Sequence, residues 1–186
     1  MQPVVDINRT LIKKAQKGQW KAQKELYEKY TMSMFNICMR MLNDRYEAED
    51  ILQESFADAF RRLHTFRFES TFGAWLRRIV INNCLNAIKA KKEQLTYLDD
   101  MSALNLKEEN YTDEPPEGLT VSRVMEAMET LPKGCRTILS LYLFEGYDHT
   151  EIAQILNISE STSKTQYMHA RKKIRKVIEE KRATYG

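Results

Sequence analysis

Apolar residues recur with helical spacing along most of this chain, and no stretch shows the alternation of a strand. Ile7, Leu11, Ile12 and Ala15 predict a first helix within residues 6–17, broken by Gly18. A second is predicted from Trp20 to Leu42, with Leu26, Tyr27, Tyr30, Met34, Phe35, Cys38, Met41 and Leu42 on its core stripe. Asn43-Asp44 makes the next break. Ala48, Ile51, Leu52, Ser55, Phe56, Ala59, Phe60 and Leu63 then mark a third helix from Tyr46 to Leu63. After a loop, His64 to Ser70, a fourth helix from Thr71 to Lys92 buries Phe72, Trp75, Leu76, Ile79, Val80 and Cys84. Periodicity lapses over 94–120 and returns in Val121 to Leu131, closed by Pro132, and in Lys133 to Glu145, ended at Gly146. The expected fold is all-α. Two helical domains, 1–93 and 121–186, flank a flexible linker, 94–120.

The last stretch, Asp148 to Lys176, reads as a helix-turn-helix. Asp148 and Glu151 have capping-box spacing, Asn157 suits the left-handed residue that ends a helix, and Ser159 is a good N-cap. In the second helix Ser163, Tyr167, Ala170, Ile174 and Val177 share one face. Ser161, Thr162, Thr165, Gln166, His169 and Lys173 are assigned to the other. Short polar side chains flanked by bases suit a helix that reads base edges in a major groove.

Charge sharpens the division. Residues 1–94 carry 17 basic and 11 acidic groups, +6; residues 95–120 carry 1 and 7, −6; residues 121–186 carry 11 and 8, +3. Two basic modules around an acidic strap suit a protein that touches nucleic acid at both ends. The third helix is the exception, with Glu47, Glu49, Asp50 and Glu54 beside Gln53 on its outer face. In the loop, Phe66 and Phe68 flank Arg67, a combination suited either to stacking on unpaired bases or to inward packing. Cys38, Cys84 and Cys135 sit in apolar helical patterns and read as buried thiols. No Gly-rich phosphate loop, zinc spacing or nucleophile-base pairing is legible, so neither an enzyme nor a cofactor is expected. No run of about 18 apolar residues occurs, which predicts a cytoplasmic protein without membrane insertion.

Four stretches resemble one family, the bacterial extracytoplasmic-function (ECF, group IV) sigma factors of the sigma-70 type. AEDILQESF, Ala48 to Phe56, resembles its core-polymerase-binding helix, and FGAWLRRIVINNCLNAI, Phe72 to Ile88, the helix that opens the promoter −10 element. METLPKGCRTILSLYLFEGYDHTEIAQILNIS, Met128 to Ser159, resembles the entry to its C-terminal domain, and STSKTQYMHARKKI, Ser161 to Ile174, its −35 recognition helix. The resemblance implies that 1–93 is region 2 and 121–186 is region 4. Core RNA polymerase would be bound by Asp50, Gln53 and Glu54. The −10 element would be held by Phe66, Arg67, Phe68, Ser70, Arg77, Arg78 and Asn82, with the loop catching a flipped base. The −35 element would be read by Thr162, Thr165, Gln166 and His169, with Lys164, Arg171 and Lys172 on phosphates. An anti-sigma factor is a further implied partner, and no small-molecule substrate is.

The chain departs from the family's common pattern at several positions. Ser161 replaces a frequent Gly, Ser163 a frequent Val, and Gln166 and His169 stand where Arg is common. Gln166 would favour adenine in place of the guanine that arginine selects. The rival readings are an operator-binding regulator, for which the acidic helix face has no use, and a helical adaptor with no salt-sensitive affinity for DNA.

Overall fold

The computed structural model describes residues 6–90 and 120–185, with the backbone alone at 181–185. Within these residues every regular element is helical. They fall into two compact units, one within Met1–Lys92 and one within Glu93–Gly186. The predicted linker lies, but for Thr120, outside the described residues.

In the first unit α1 (Arg9–Gln16), α2 (Trp20–Leu42), α3 (Arg45–Arg62) and α4 (Phe72–Ala90) are joined by tight turns, with a 3-10 turn, Leu63–Thr65, continuing α3. The helices α2, α3 and α4 pack on one another, and α1 lies against α2 and the 3-10 turn. The stripes anticipated from spacing form this core: Leu26, Met34, Cys38 and Met41 from α2, Ala48, Leu52, Phe56 and Ala59 from α3, and Phe72, Leu76, Val80 and Cys84 from α4. Asn43, at φ 56, ends α2 in the left-handed conformation. Asp44 then accepts from the Glu47 amide at 3.0 Å and caps α3. At the start of α4, Gly73 permits a close crossing, since a Cβ there would lie 3.0 Å from the Tyr30 ring.

The first helix departs from the expectation. It starts at Arg9, and Ile7 is 94% exposed instead of lying on the core stripe. The cause is Asp6, whose carbonyl accepts from the Arg9 amide at 3.0 Å and whose Oδ1 accepts from the Asn8 amide at 2.8 Å. This turn sets the chain before the helical period begins, and Ile7 falls outside it.

In the second unit α5 (Val121–Glu129), α6 (Lys133–Leu143) and α7 (His149–Leu156) each pack on the long α8 (Glu160–Tyr185). Ala127, Met128, Leu131, Cys135, Leu139, Ala170, Ile174 and Ile178 form a shared core. Arg136 is buried in it, 7% exposed, and its Nη1 donates to the Glu129 carbonyl at 3.4 Å and the Leu131 carbonyl at 3.3 Å. It thereby satisfies carbonyls at the C-terminus of α5 that have no partner in their own helix. Burial disfavours its charge and lowers its pKa, and nearby Glu129 opposes that shift. All three cysteines are buried thiols outside any disulfide, as their apolar settings imply.

Replacing Arg136 with Ala leaves two carbonyls unpaired and a void. Arg136→Ala should lower unfolding stability by about 2–3 kcal/mol in urea denaturation of the full chain. A stability change below about 0.5 kcal/mol, the usual range for a surface site, would show that water replaces the guanidinium at no cost.

Candidate nucleic-acid and polymerase interfaces

On α3, Asp50, Gln53 and Glu54 stand at i, i+3 and i+4, and all are exposed. Opposite them Ala48, Leu52, Ser55, Phe56 and Ala59 are buried against α2 and α4. The polar Ser55 is accommodated because its hydroxyl donates to the Ile51 carbonyl at 2.7 Å. The result is an acidic outer face on a rigid, internally packed helix.

The neighbouring helix α4 turns a different chemistry outward. Arg77, Arg78, Asn82, Asn86 and Lys89 are exposed. Asn83, next to Asn82, points inward and donates to Ser55 Oγ at 3.2 Å and Asp58 Oδ2 at 3.4 Å. A rotation of about 100° per residue separates the two asparagines, so one reaches solvent and its neighbour joins α4 to α3. Beside Arg77 an open cleft of about 560 Å³ is bounded by Asp6, Asn8, Tyr30, Ser33 and Gly73. Tyr30 accepts there from Asn8 Nδ2 at 3.0 Å. Burial, then the charge of Asp6, raises its phenol above the ordinary pKa.

The loop between α3 and α4 contains a correction. Phe66 does not face outward; it is 5% exposed, with its ring centre 5.3 Å from Trp75, 6.0 Å from Phe72 and 4.9 Å from Phe68. Four aromatic rings in one layer remove more apolar area from water than an exposed ring would, and this decides its direction. Arg67 is exposed and Ser70 and Phe68 are partly exposed. Phe68 has φ 60, a left-handed backbone uncommon for a bulky residue. The Arg9 guanidinium lies 4.5 Å from its ring centre.

The helix-turn-helix of the second unit has the local chemistry expected of it. Asp148 and Glu151 form a reciprocal capping box, Asn157 is left-handed at φ 55, and Ser159 Oγ accepts from the Thr162 amide at 3.0 Å. Ser163 is buried, and its hydroxyl pairs with His149 Nδ1 at 2.9 Å, so its partner is on α7 and not in its own preceding turn. His149 in turn stacks on Tyr142, with ring centres 4.6 Å apart, and Tyr142 meets Tyr167 at 4.6 Å.

Gln166 is the second correction. It is 3% exposed, and its Oε1 accepts from the Cys135 thiol at 2.7 Å. The buried sector of α8 is wider than one stripe because α5, α6 and α7 all lie against it. Position 166, read as outward from its polarity, falls inside that sector. Lys164 and Arg171 are exposed, while Thr162, Thr165, His169, Lys172 and Lys173 are partly so. Lys164 Nζ pairs with Glu160 at 2.6 Å, which holds that carboxyl below its usual pKa. Burial holds the His169 imidazole below its ordinary 6.5, and Lys172 adds to the effect.

Two matches to known families fit these two units. Residues 26–94 match the model for sigma-70 region 2, and residues 122–174 that for sigma-70 region 4. The pair defines the class: a sigma factor of bacterial RNA polymerase. The chain is 32% identical to the ECF RNA polymerase sigma factor SigW of Bacillus subtilis, over 90% of this chain and 94% of that one. It is 29% identical to the RNA polymerase sigma-H factor of Pseudomonas aeruginosa, over 91% and 92%. Its fold is similar to CnrH in a complex with the cytosolic domain of CnrY, with a TM-score of 0.51, 19% identity, and coverage of 94% and 98%. It is likewise similar to the sigma factor RpoE of Bartonella quintana, in a complex with the anti-sigma factor NepR, with a TM-score of 0.51, 18% identity, and coverage of 84% and 96%. The protein belongs to the ECF sigma factors. It directs promoter-specific initiation of transcription by RNA polymerase.

The environment of His169 fixes a pH dependence. Its pKa is lower folded than unfolded, so the unfolded chain binds more protons as pH falls below about 6.5, and stability falls with it. An NMR titration should give a His169 midpoint below 6.5. His169→Gln should reduce the loss of stability between neutral and mildly acid pH. A midpoint above 6.5 would contradict the assignment.

Proposed function

We propose that the two units divide promoter recognition as a group IV sigma factor does, with residues 1–93 as region 2, residues 121–186 as region 4 and residues 94–120 joining them. The supporting observation is the contrast between adjacent helices of the first unit. The outer face of α3 is acidic at Asp50 and Glu54, with Gln53 between them, whereas α4 presents Arg77, Arg78 and Asn82. One helix suits a basic protein surface and the other a phosphate backbone.

In this reading Asp50, Gln53 and Glu54 dock on core polymerase. Arg67, Phe68 and Ser70 receive an unpaired base of the −10 element, and Arg77, Arg78 and Asn82 hold the strand beside it. Phe66 supports the loop from beneath. Thr162, Thr165 and His169 face the −35 base edges, while Lys164, Arg171 and Lys172 meet phosphates. Gln166 acts behind the reading face as a strut. The Lys164–Glu160 pair lies at the surface, so a phosphate displaces the carboxylate readily. The protein acts as a specificity subunit without catalysing a reaction, and it works in the cytoplasm. An anti-sigma factor restrains it by covering these faces, the kind of partner bound in the complex of the structural relative from Bartonella quintana.

Run-off transcription by core polymerase on a fragmented genomic library tests the whole reading. Discrete transcripts should appear with this protein, and Asp50→Lys with Glu54→Lys should reduce them about tenfold or more through lost core affinity. Strong binding to duplex DNA without polymerase, together with no transcripts, would instead support an operator-binding regulator. A second expectation concerns salt. Replacing Arg171 with Ala should weaken −35 duplex binding across sequences and lower the salt slope by about one counterion. Loss confined to one base position would instead make Arg171 a base reader.

A further inference from the structure

We infer that α1 is a positioning brace for the base-catching loop, fixing its conformation from both ends and across its strained centre. The inference rests on the reading of residues 65–70 as the site for an unpaired −10 base.

The loop joins two helix ends, and the carbonyls that end one helix and the amides that begin the next have no partners inside those helices. Here α1 and the turn before it supply them. Gln16 Nε2 donates to the Leu63 carbonyl and to the Phe66 carbonyl, each at 3.0 Å. At the far side the Phe72 amide donates to Asp6 Oδ2 at 2.7 Å in a buried bond. The other oxygen of Asp6 accepts from Asn8, so one carboxylate sets the start of α1 and the start of α4 together. These partners are 47, 50 and 66 residues apart, so the loop is held by tertiary contacts and not by its own turn geometry.

Between these anchors Arg9 lies over the Phe68 ring at 4.5 Å. Phe68 holds φ 60, which persists for a bulky residue only where the surroundings over-determine it. Phe66 packs under it against Phe72 and Trp75. With its ends and centre fixed, the loop presents Arg67 outward and part of the Phe68 ring before any DNA arrives. Binding an unpaired base then carries no further cost for ordering the loop.

The roles of Arg9 and Gln16 are positioning roles, and they can be separated from folding. The test uses holoenzyme assembled from core polymerase and the full chain. The probe is a forked promoter fragment with a single-stranded −10 non-template strand and 2-aminopurine at successive positions, taken from a promoter that this holoenzyme transcribes. Arg9→Ala and Gln16→Leu should each weaken fork binding about tenfold and suppress the 2-aminopurine signal of the captured base. Core affinity and −35 duplex affinity should stay within about twofold, since neither residue belongs to the surfaces proposed for those contacts. Arg9→Lys, which keeps a cation over the ring, should recover most of the signal. The inference is overturned if both variants bind the fork normally while Arg67→Ala binds it weakly; the loop is then the base site but needs no brace. It is also overturned if core affinity falls as much as fork affinity. If Arg67→Ala and Phe68→Ala are silent as well, the base-site reading itself fails, and the brace with it.

Discussion

A helix leaves its first amides and last carbonyls without partners, and how this chain satisfies them sets where several of its helices begin and how they meet. Asp44 caps α3, and Asp148 with Glu151 caps α7, both within a few residues. Other ends are satisfied at long range. Gln16 covers carbonyls at Leu63 and Phe66, and Asp6 covers an amide of α4. Local caps decide where a helix begins. The long-range ones decide how two elements meet, so they carry the geometry of the loop between α3 and α4. Polar bonding specifies the arrangement, and apolar burial supplies most of its stability.

Much of this was legible in the sequence because it is periodic or local. The core stripes of α2, α3 and α4, the break at Asn43-Asp44, the left-handed asparagine at 157 and the Asp148 capping box all follow from spacing and residue type. What escaped has one physical character: polar or aromatic side chains whose partners lie far along the chain. Gln166 bonds to Cys135, 31 residues away, and Asn83 to Asp58, 25 residues away. Polarity alone assigns such residues to solvent. Phe66 had two admissible directions, and only the meeting of Phe72 and Trp75 beneath it selects one. Ile7 was misread because a helical period was extended across the turn that Asp6 makes.

Charge placement follows the same logic at lower cost. The bases of α8 are not an uninterrupted field, since Glu160, Glu179 and Glu180 pair with Lys164, Arg175 and Lys176. Such exposed pairs contribute little to stability and exchange easily. They moderate the positive charge along this helix. On the first unit, Asp58 pairs with Arg61 and Arg62 at the end of α3, apart from the outward acids at 50 and 54. Opposite charge chemistries thus coexist on one small bundle.

The bond between Cys135 and Gln166 has a consequence for how such a protein diversifies. In the reading proposed for α8, a glutamine in mid-helix looks like a natural place to alter base preference, yet here its Oε1 accepts from the buried Cys135 thiol and its side chain lies in the joint between α6 and α8. Thr162, Thr165 and His169 carry no such obligation to Cys135. In that reading, new promoter preferences arise most cheaply at those three positions, whereas a change at 166 also disturbs its bond with 135. Retargeting this helix by design faces the same coupling: positions 135 and 166 form one unit of variation.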